Sequence, residues 1–201
     1  MKTGPKFKIA KRLGAPIYEK TQTQKFALSE ARTGRTKKRF SKMSDYKRQL
    51  IEKQKMRFTY GLSERQFRRY VDEAMDKAAK PTEALYIRLE LRLDNAVYRL
   101  GLAKTRRLAR QIVTHGHITL NGRKMNIPSH KVKIGDVIGV REGSKGSVLF
   151  TELPESHDSA TVPSWLKFDV KSLTGTVEGT PTFQQTETYF DPEQVLEFYS
   201  R

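Results

Sequence analysis

Residues 105–122, TRRLARQIVTHGHITLNG, gather Arg106, Arg107 and Arg110 into one short run. Clustered guanidinium groups are anion binders, and their planar forks suit phosphate oxygens in particular. At 100° per residue, Leu108, Ala109, Ile112 and Val113 fall on one arc and Arg106, Arg107, Arg110 and Thr114 on the other, which predicts a helix with a core face and a cationic face. Thr105 is placed to cap its start and Gly116 to end it in the left-handed region. Arginines in the first turn oppose the helix dipole at about a few tenths of a kcal/mol per charge, and a bound anion reverses that penalty.

A second cluster, Arg65, Arg68 and Arg69, lies in SERQFRRYVDEAMDKAAK, where Ser63 and Gln66 form a capping box and Phe67, Tyr70, Val71, Ala74 and Ala78 recur at helical spacing. Lys6, Lys8 and Arg12, then Arg35, Lys37, Lys38, Arg39 and Lys42, continue the basic character toward the N-terminus. Lys104 precedes the opening run, and Arg123 and Lys124 follow its Asn121-Gly122 turn. Other chemistries have little to stand on. The chain has no cysteine, so disulfides, thiol catalysis and cysteine-rich zinc sites are excluded. His115 and His117 lack a nearby third ligand, and no zinc, other metal or cofactor is expected.

Partners follow from charge. The 201 residues carry a net +17, which points to a polyanion, nucleic acid before an acidic membrane surface. Lys and Arg outnumber Asp and Glu by 14 over residues 1–60, by 5 over 61–110 and by 4 over 111–150, whereas acids lead by 6 over 151–201. No apolar run approaches the length of a membrane span, and no signal peptide is apparent.

These side chains need elements to hold them. Residues 1–43 show almost no apolar period and are expected to stay disordered until RNA supplies counter-charges. Residues 44–61 read as a helix with charge on every side. The stripe Leu85, Leu89, Leu93, Ala96, Val97 and Leu100 predicts a long helix or two helices with a bend. Ile118 and Leu120 alternate with polar residues before the Asn121-Gly122 hairpin signal, and KVKIGDVIGV is expected to give a second strand pair around Gly135-Asp136. Residues 142–163 read as a connection, followed by alternation at Leu166, Phe168 and Val170 and a turn-rich strand pair in LTGTVEGTP.

Residues 92–140, RLDNAVYRLGLAKTRRLARQIVTHGHITLNGRKMNIPSHKVKIGDVIGV, resemble the RNA-binding domain named after small-subunit ribosomal protein S-four. TGPK at 3–6, SDYKRQLIEKQKMRFTYGLSERQFRRY at 44–70, PSWL at 163–166 and EFYSR at 197–201 extend the resemblance to bacterial members of that ribosomal family. The resemblance implies an α+β fold: a mainly helical domain, an inserted helix-helix-antiparallel-sheet RNA-binding domain and a basic N-terminal arm. The boundaries implied are 1–43 for the arm, 44–91 completed by 153–201 for the helical domain, and 92–152 for the RNA-binding domain with its connection.

It further implies a primary binder of small-subunit ribosomal RNA that nucleates assembly of the subunit body in the cytoplasmic ribosome and contributes to translational accuracy. Ribosomal protein S-five would be its neighbour. By family pattern Arg65, Arg68, Arg69, Arg92, Arg107, Arg110, His115, Asn121 and Arg123 face RNA, and Arg39 and Lys42 lie near the mRNA entrance. No homo-oligomer and no membrane contact are implied. Many relatives carry zinc-binding cysteines in the arm; this chain lacks them, so a zinc-free arm is expected.

Two alternatives stay open at this level. An RNA-modifying enzyme could use Asp94 of RLD, although Asn95-Ala96-Val97 continues a helix where a synthase would need a loop; an arginine-paired helix carboxylate is the plainer reading. A free-standing RNA-binding regulator or stress protein could carry the same domain. The acidic stretch 151–201, with Trp165, Phe168, Phe183, Tyr189, Phe190, Phe198 and Tyr199, is expected to meet a basic protein, although several of these aromatics must instead close the helical core; the alternative is a tail that only packs back on its own domain.

Overall fold

A computed structural model of the chain describes residues 4–34, 43–151, 153, 162–184 and 188–200. The chain divides into two compact units, residues 1–85 with 183–201 and residues 86–182. The division differs from the one expected. Residues 166–177 belong with the second unit because their two strands extend its sheet, so only the last stretch of the chain returns to the helical unit.

The first unit is helical. It contains α1 (Lys6–Leu13), a 3-10 turn (Glu19–Thr21), α2 (Gln24–Gly34), α3 (Asp45–Thr59) and α4 (Glu64–Lys77). Residues 4–34 of the N-terminal arm are folded, contrary to the sequence expectation. Ile9, Leu13, Ala15, Ile17 and Tyr18 form one buried cluster, with Ile51 and Phe58 of α3 packed against it. Gly14 at φ 66 turns the chain out of α1, which lets two short apolar segments share one core without a common period. Phe7 meets Phe26 edge to face at 5.2 Å, and the Lys11 ammonium donates to Ser29 Oγ at 2.8 Å, so α1 and α2 are joined by both apolar and polar contacts.

Helix α3 buries Gln49, Lys53 and Met56, one face at i, i+4 and i+7. Two of these are polar, which is why no apolar stripe is legible there. Their partners come from α4 and from the chain's far end. The C-terminal helix lies at Pro192–Tyr199, with Asp191 accepting from Glu193 N at its start. Gln49 donates to Glu197 at 2.9 Å, and Lys53 donates to Glu64 at 2.8 Å with its ammonium 4.5 Å from the Phe198 ring centre.

The long stripe is two helices, α5 (Pro81–Glu90), within which the division between the units falls, and α6 (Leu93–Arg99), which the second unit continues with α7 (Arg106–Thr114). Strands β1 (Ile118–Leu120), β2 (Arg123–Met125), β3 (Val137–Val140), β4 (Leu166–Asp169) and β5 (Thr174–Val177) form one antiparallel sheet in the order β2-β1-β3-β5-β4. Asn121 and Gly122, both at positive φ (51 and 77), close the β1–β2 hairpin; a two-residue turn with both residues left-handed matches strand twist.

No strand pair forms around Gly135-Asp136. Residues 128–132 are instead laced to the start of α6: Leu93 N donates to His130 O, Asp94 N to Pro128 O and Val132 N to Leu91 O. Only β3 continues as strand, pairing Ile118 with Val140 on one side and Ile138 with Gly175 on the other. LTGTVEGTP likewise gives the single strand β5. The connection holds two one-turn helices, α8 (Glu142–Lys145) and α9 (Val148–Thr151). Leu93, Ala96 and Val97 of α6 with Leu100 just past its end, Ala109, Ile112 and Val113 of α7, and Ile118, Ile138 and Val177 of the sheet share one core.

Candidate nucleic-acid interface

The opening stretch folds as its periodicity requires. Thr105 Oγ1 accepts from Leu108 N at 3.1 Å and starts α7; Ala109, Ile112 and Val113 are buried; Gly116 at φ 74 follows the last turn. No acidic residue occupies the first turn. Arg107 is exposed and Arg106 and Arg110 are half-exposed on the opposite face. Lys104 is exposed before the helix, and His115 is exposed beyond it. The hairpin adds exposed Arg123 and Lys124 on β2, an outer strand of the sheet. A Cβ at Gly116 would land on the Lys124 side chain, so Lys124 lies across the end of α7. Six cationic side chains, Lys104, Arg106, Arg107, Arg110, Arg123 and Lys124, thus belong to one helix-and-hairpin element.

Beneath α7 lies a layer that composition did not reveal. Asp94, 2 % exposed, receives four donors: Arg92 Nε at 3.1 Å and Asn95 N at 3.0 Å on Oδ1, Arg92 Nη2 at 3.0 Å and Arg110 Nε at 2.7 Å on Oδ2. Glu90, 0 % exposed, receives Arg99 Nε at 2.8 Å and Asn95 Nδ2 at 3.0 Å on Oε2. With its amide nitrogen held there, Asn95 turns its oxygen to Arg106 Nε at 2.9 Å, and the Arg106 guanidinium sits 4.4 Å from the Tyr98 ring centre. Each buried carboxylate is therefore matched by guanidinium forks, as a charge removed from water requires.

Two sequence-predicted contacts are placed differently. Arg92 is 2 % exposed and forked onto Asp94, so it is a structural partner of that carboxylate and is out of reach of a phosphate. Asn121 is exposed, but its amide donates to Asp136 Oδ1 at 2.8 Å and accepts from Val137 N at 2.8 Å, which ties the hairpin turn to β3. Glu90, Asn95 and Tyr98 were not singled out as site residues. The signal for Glu90 and Asn95 was the alternation of charge in ELRLDN within an apolar stripe, where carboxylates in core phase demand cationic partners.

In the helical unit, Arg65, Arg68 and Arg69 are exposed on the first turns of α4, with Arg68 3.9 Å from Asp72. Phe67, Tyr70, Val71 and Ala74 form its buried side, and Ala78 is half-buried past its end. Lys8 and Arg12 are exposed on α1, while Lys6 places its ammonium 5.3 Å from the Tyr18 ring centre. Arg35, Lys37, Lys38, Arg39 and Lys42 lie outside the described residues. Glu64 is the acid of α4's first turn. Burial raises its pKa, but hydrogen bonds from Lys53 and Tyr199 and the charges of Lys53 and Arg57 outweigh it, leaving the carboxyl below its ordinary value. Tyr199 moves the other way, raised by burial and by its hydrogen bond to Glu64.

Among the described residues, no group of three or more His, Asp or Glu is arranged to hold a metal ion, and no helix is long and apolar enough to cross a membrane. Asp94 is occupied by arginines inside a helix, a structural carboxylate.

Comparison with known proteins agrees in extent and order. The pattern described as Ribosomal protein S4/S9 N-terminal domain matches residues 1–90, and that described as S4 domain matches residues 91–138. The chain is 45% identical over 199 residues to the small ribosomal subunit protein uS4 of Persephonella marina, covering 98% of this chain and 97% of that one. It is 45% identical over 202 residues to the protein of that name from Roseiflexus castenholzii, with 98% of each covered. The Halalkalibacterium halodurans protein of that name is 44% identical over 200 residues, covering 99% of this chain and 98% of that one. With both family patterns in sequence and near-complete coverage of its relatives, the chain belongs to the small ribosomal subunit protein uS4 family.

Proposed function

We propose that this chain, a non-enzymatic structural constituent of the small ribosomal subunit, docks on small-subunit ribosomal RNA through the cationic face of α7 and the β1–β2 hairpin, with the α4 arginines and the basic side of α1 as further phosphate contacts. The observation that carries the reading is the two-faced α7: its apolar side is buried, its opposite side presents arginines, and no acid neutralises its first turn. Such a face is costly without an anion and favourable with one. Phosphate contacts of this kind fix position and orientation, which suits a protein that acts by holding RNA in place.

Binding that draws together separate RNA segments would make the chain an early nucleus for assembly of the subunit body. Arg39 and Lys42 are assigned to the mRNA entrance, with an effect on translational accuracy, and ribosomal protein S-five is the proposed protein neighbour; these rest on the family resemblance. The test is sedimentation of lysate from cells expressing the tagged chain, followed by ultraviolet crosslinking. Co-sedimentation with the small subunit and crosslinks from residues 104–124 to its ribosomal RNA are expected. A chain that stays at the top of the gradient, or crosslinks only to protein, contradicts the proposal.

A further inference from the structure

The buried acids under α7 hold its arginines in place. Asp94 and Glu90 lie within the core at the α5–α6 junction, yet each leads to a cation on the exposed face: Asp94 directly to Arg110, and Glu90 through Asn95 to Arg106. The geometry is specific. Asp94 is saturated by four donors, so its orientation is fixed, and Arg110 Nε has a single direction of approach to Oδ2. Asn95 cannot flip its amide without aiming an NH2 at Arg106 and its oxygen at Glu90. Tyr98 provides a flat surface for the Arg106 guanidinium. The Arg110 side chain remains 31% exposed while anchored at its Nε.

We infer that Asp94, Asn95 and Tyr98 are positioning residues that pre-set the Arg110 and Arg106 guanidiniums for phosphate, so that these long side chains surrender less rotamer freedom when RNA binds. The inference rests on the RNA-binding reading above and adds a sign that simple electrostatics does not give. Neutralising an acid beside a phosphate-binding face raises net charge and, by Coulomb attraction alone, tightens RNA binding. Positioning requires the opposite.

The experiment measures affinity of the full chain for small-subunit ribosomal RNA transcribed in vitro, with transfer RNA as competitor. The variants are Asp94→Asn, Arg110→Ala and their double, and Tyr98→Leu, Arg106→Ala and their double, each checked for fold by circular dichroism. Asp94→Asn is expected to weaken binding about three- to tenfold despite its added positive charge, the size of ordering one long side chain. That loss disappears when Arg110 is already alanine. Tyr98→Leu keeps the apolar packing and behaves likewise toward Arg106, which separates support of Arg106 from contact of the ring with RNA. Because Asp94→Asn strands Arg92 in the core and is able to unfold the unit, the Tyr98–Arg106 pair decides alone if it does.

Binding by Asp94→Asn at or above the wild-type level, or losses that persist undiminished in the alanine backgrounds, overturns the inference. If Arg106→Ala and Arg110→Ala themselves leave affinity unchanged, the RNA-binding reading falls and this inference with it.

Discussion

At the scale of single residues, Glu64 shows how one side chain links folding to pH. It accepts from buried Lys53 at 2.8 Å and from Tyr199 Oη at 2.6 Å and lies 3.3 Å from Arg57, so its ionised form is favoured in the folded unit. A carboxyl whose folded pKa is depressed contributes stability above its unfolded pKa and loses it as pH falls through the folded value. The gap between urea midpoints at about pH 7 and about pH 4 is therefore expected to narrow in Glu64→Gln, chiefly because the variant is weaker at neutral pH. Lys53 lies in a stretch read as a helix with charge on every side; Glu64 together with the Phe198 and Tyr199 rings, about 145 positions away in sequence, makes it a buried cation. Long-range pairing of this kind has no local signature. The arginines of α7 were legible because their reason for facing outward, the apolar arc behind them, lies within the same nine residues.

At the scale of elements, α7 and the Asn121-Gly122 hairpin were legible in sequence, and the arm and the Gly135 region were not. A cap, a period and a turn dipeptide are local facts. The described part of the arm folds because two short apolar pieces on either side of Gly14 meet α3, and residues 128–132 bond through their backbone to Leu91 and to the start of α6 in place of a strand pair at Gly135. The burial of Arg92 was illegible for the same reason, since its carboxylate partner is buried by tertiary packing. Strand β5 has its own close fit: a Cβ at Gly175 would land on the side chain of Leu100, which is fully buried. Gly175→Ala is expected to destabilise the second unit by about 1–3 kcal/mol through overpacking, read as a lower thermal midpoint with RNA contacts in α7 intact.

At the scale of the whole molecule, charge is divided between a basic body and an acidic last quarter. The acidic end was expected to seek a basic neighbour, but much of its chemistry is spent within its own unit. Phe190 packs by Tyr60, Phe198 by Tyr46 and Tyr199 by Phe67, while Gln49 donates to Glu197 and Asp191 N donates to Glu52. Trp165 and Phe168 serve the core of the other unit. The anchors proposed for a protein partner are thus largely the fold's own closing contacts, and the basic face of α7 and its hairpin is the principal binding feature we propose. The salt dependence of binding to small-subunit ribosomal RNA tests that most directly, comparing the wild-type chain with Arg106→Ala/Arg107→Ala/Arg110→Ala. Each phosphate contact contributes about 0.7–0.9 to the slope of log affinity against log salt. A folded triple variant with weaker affinity and a slope shallower by about two units is the expected result. A folded variant that keeps the wild-type affinity and slope would contradict the account.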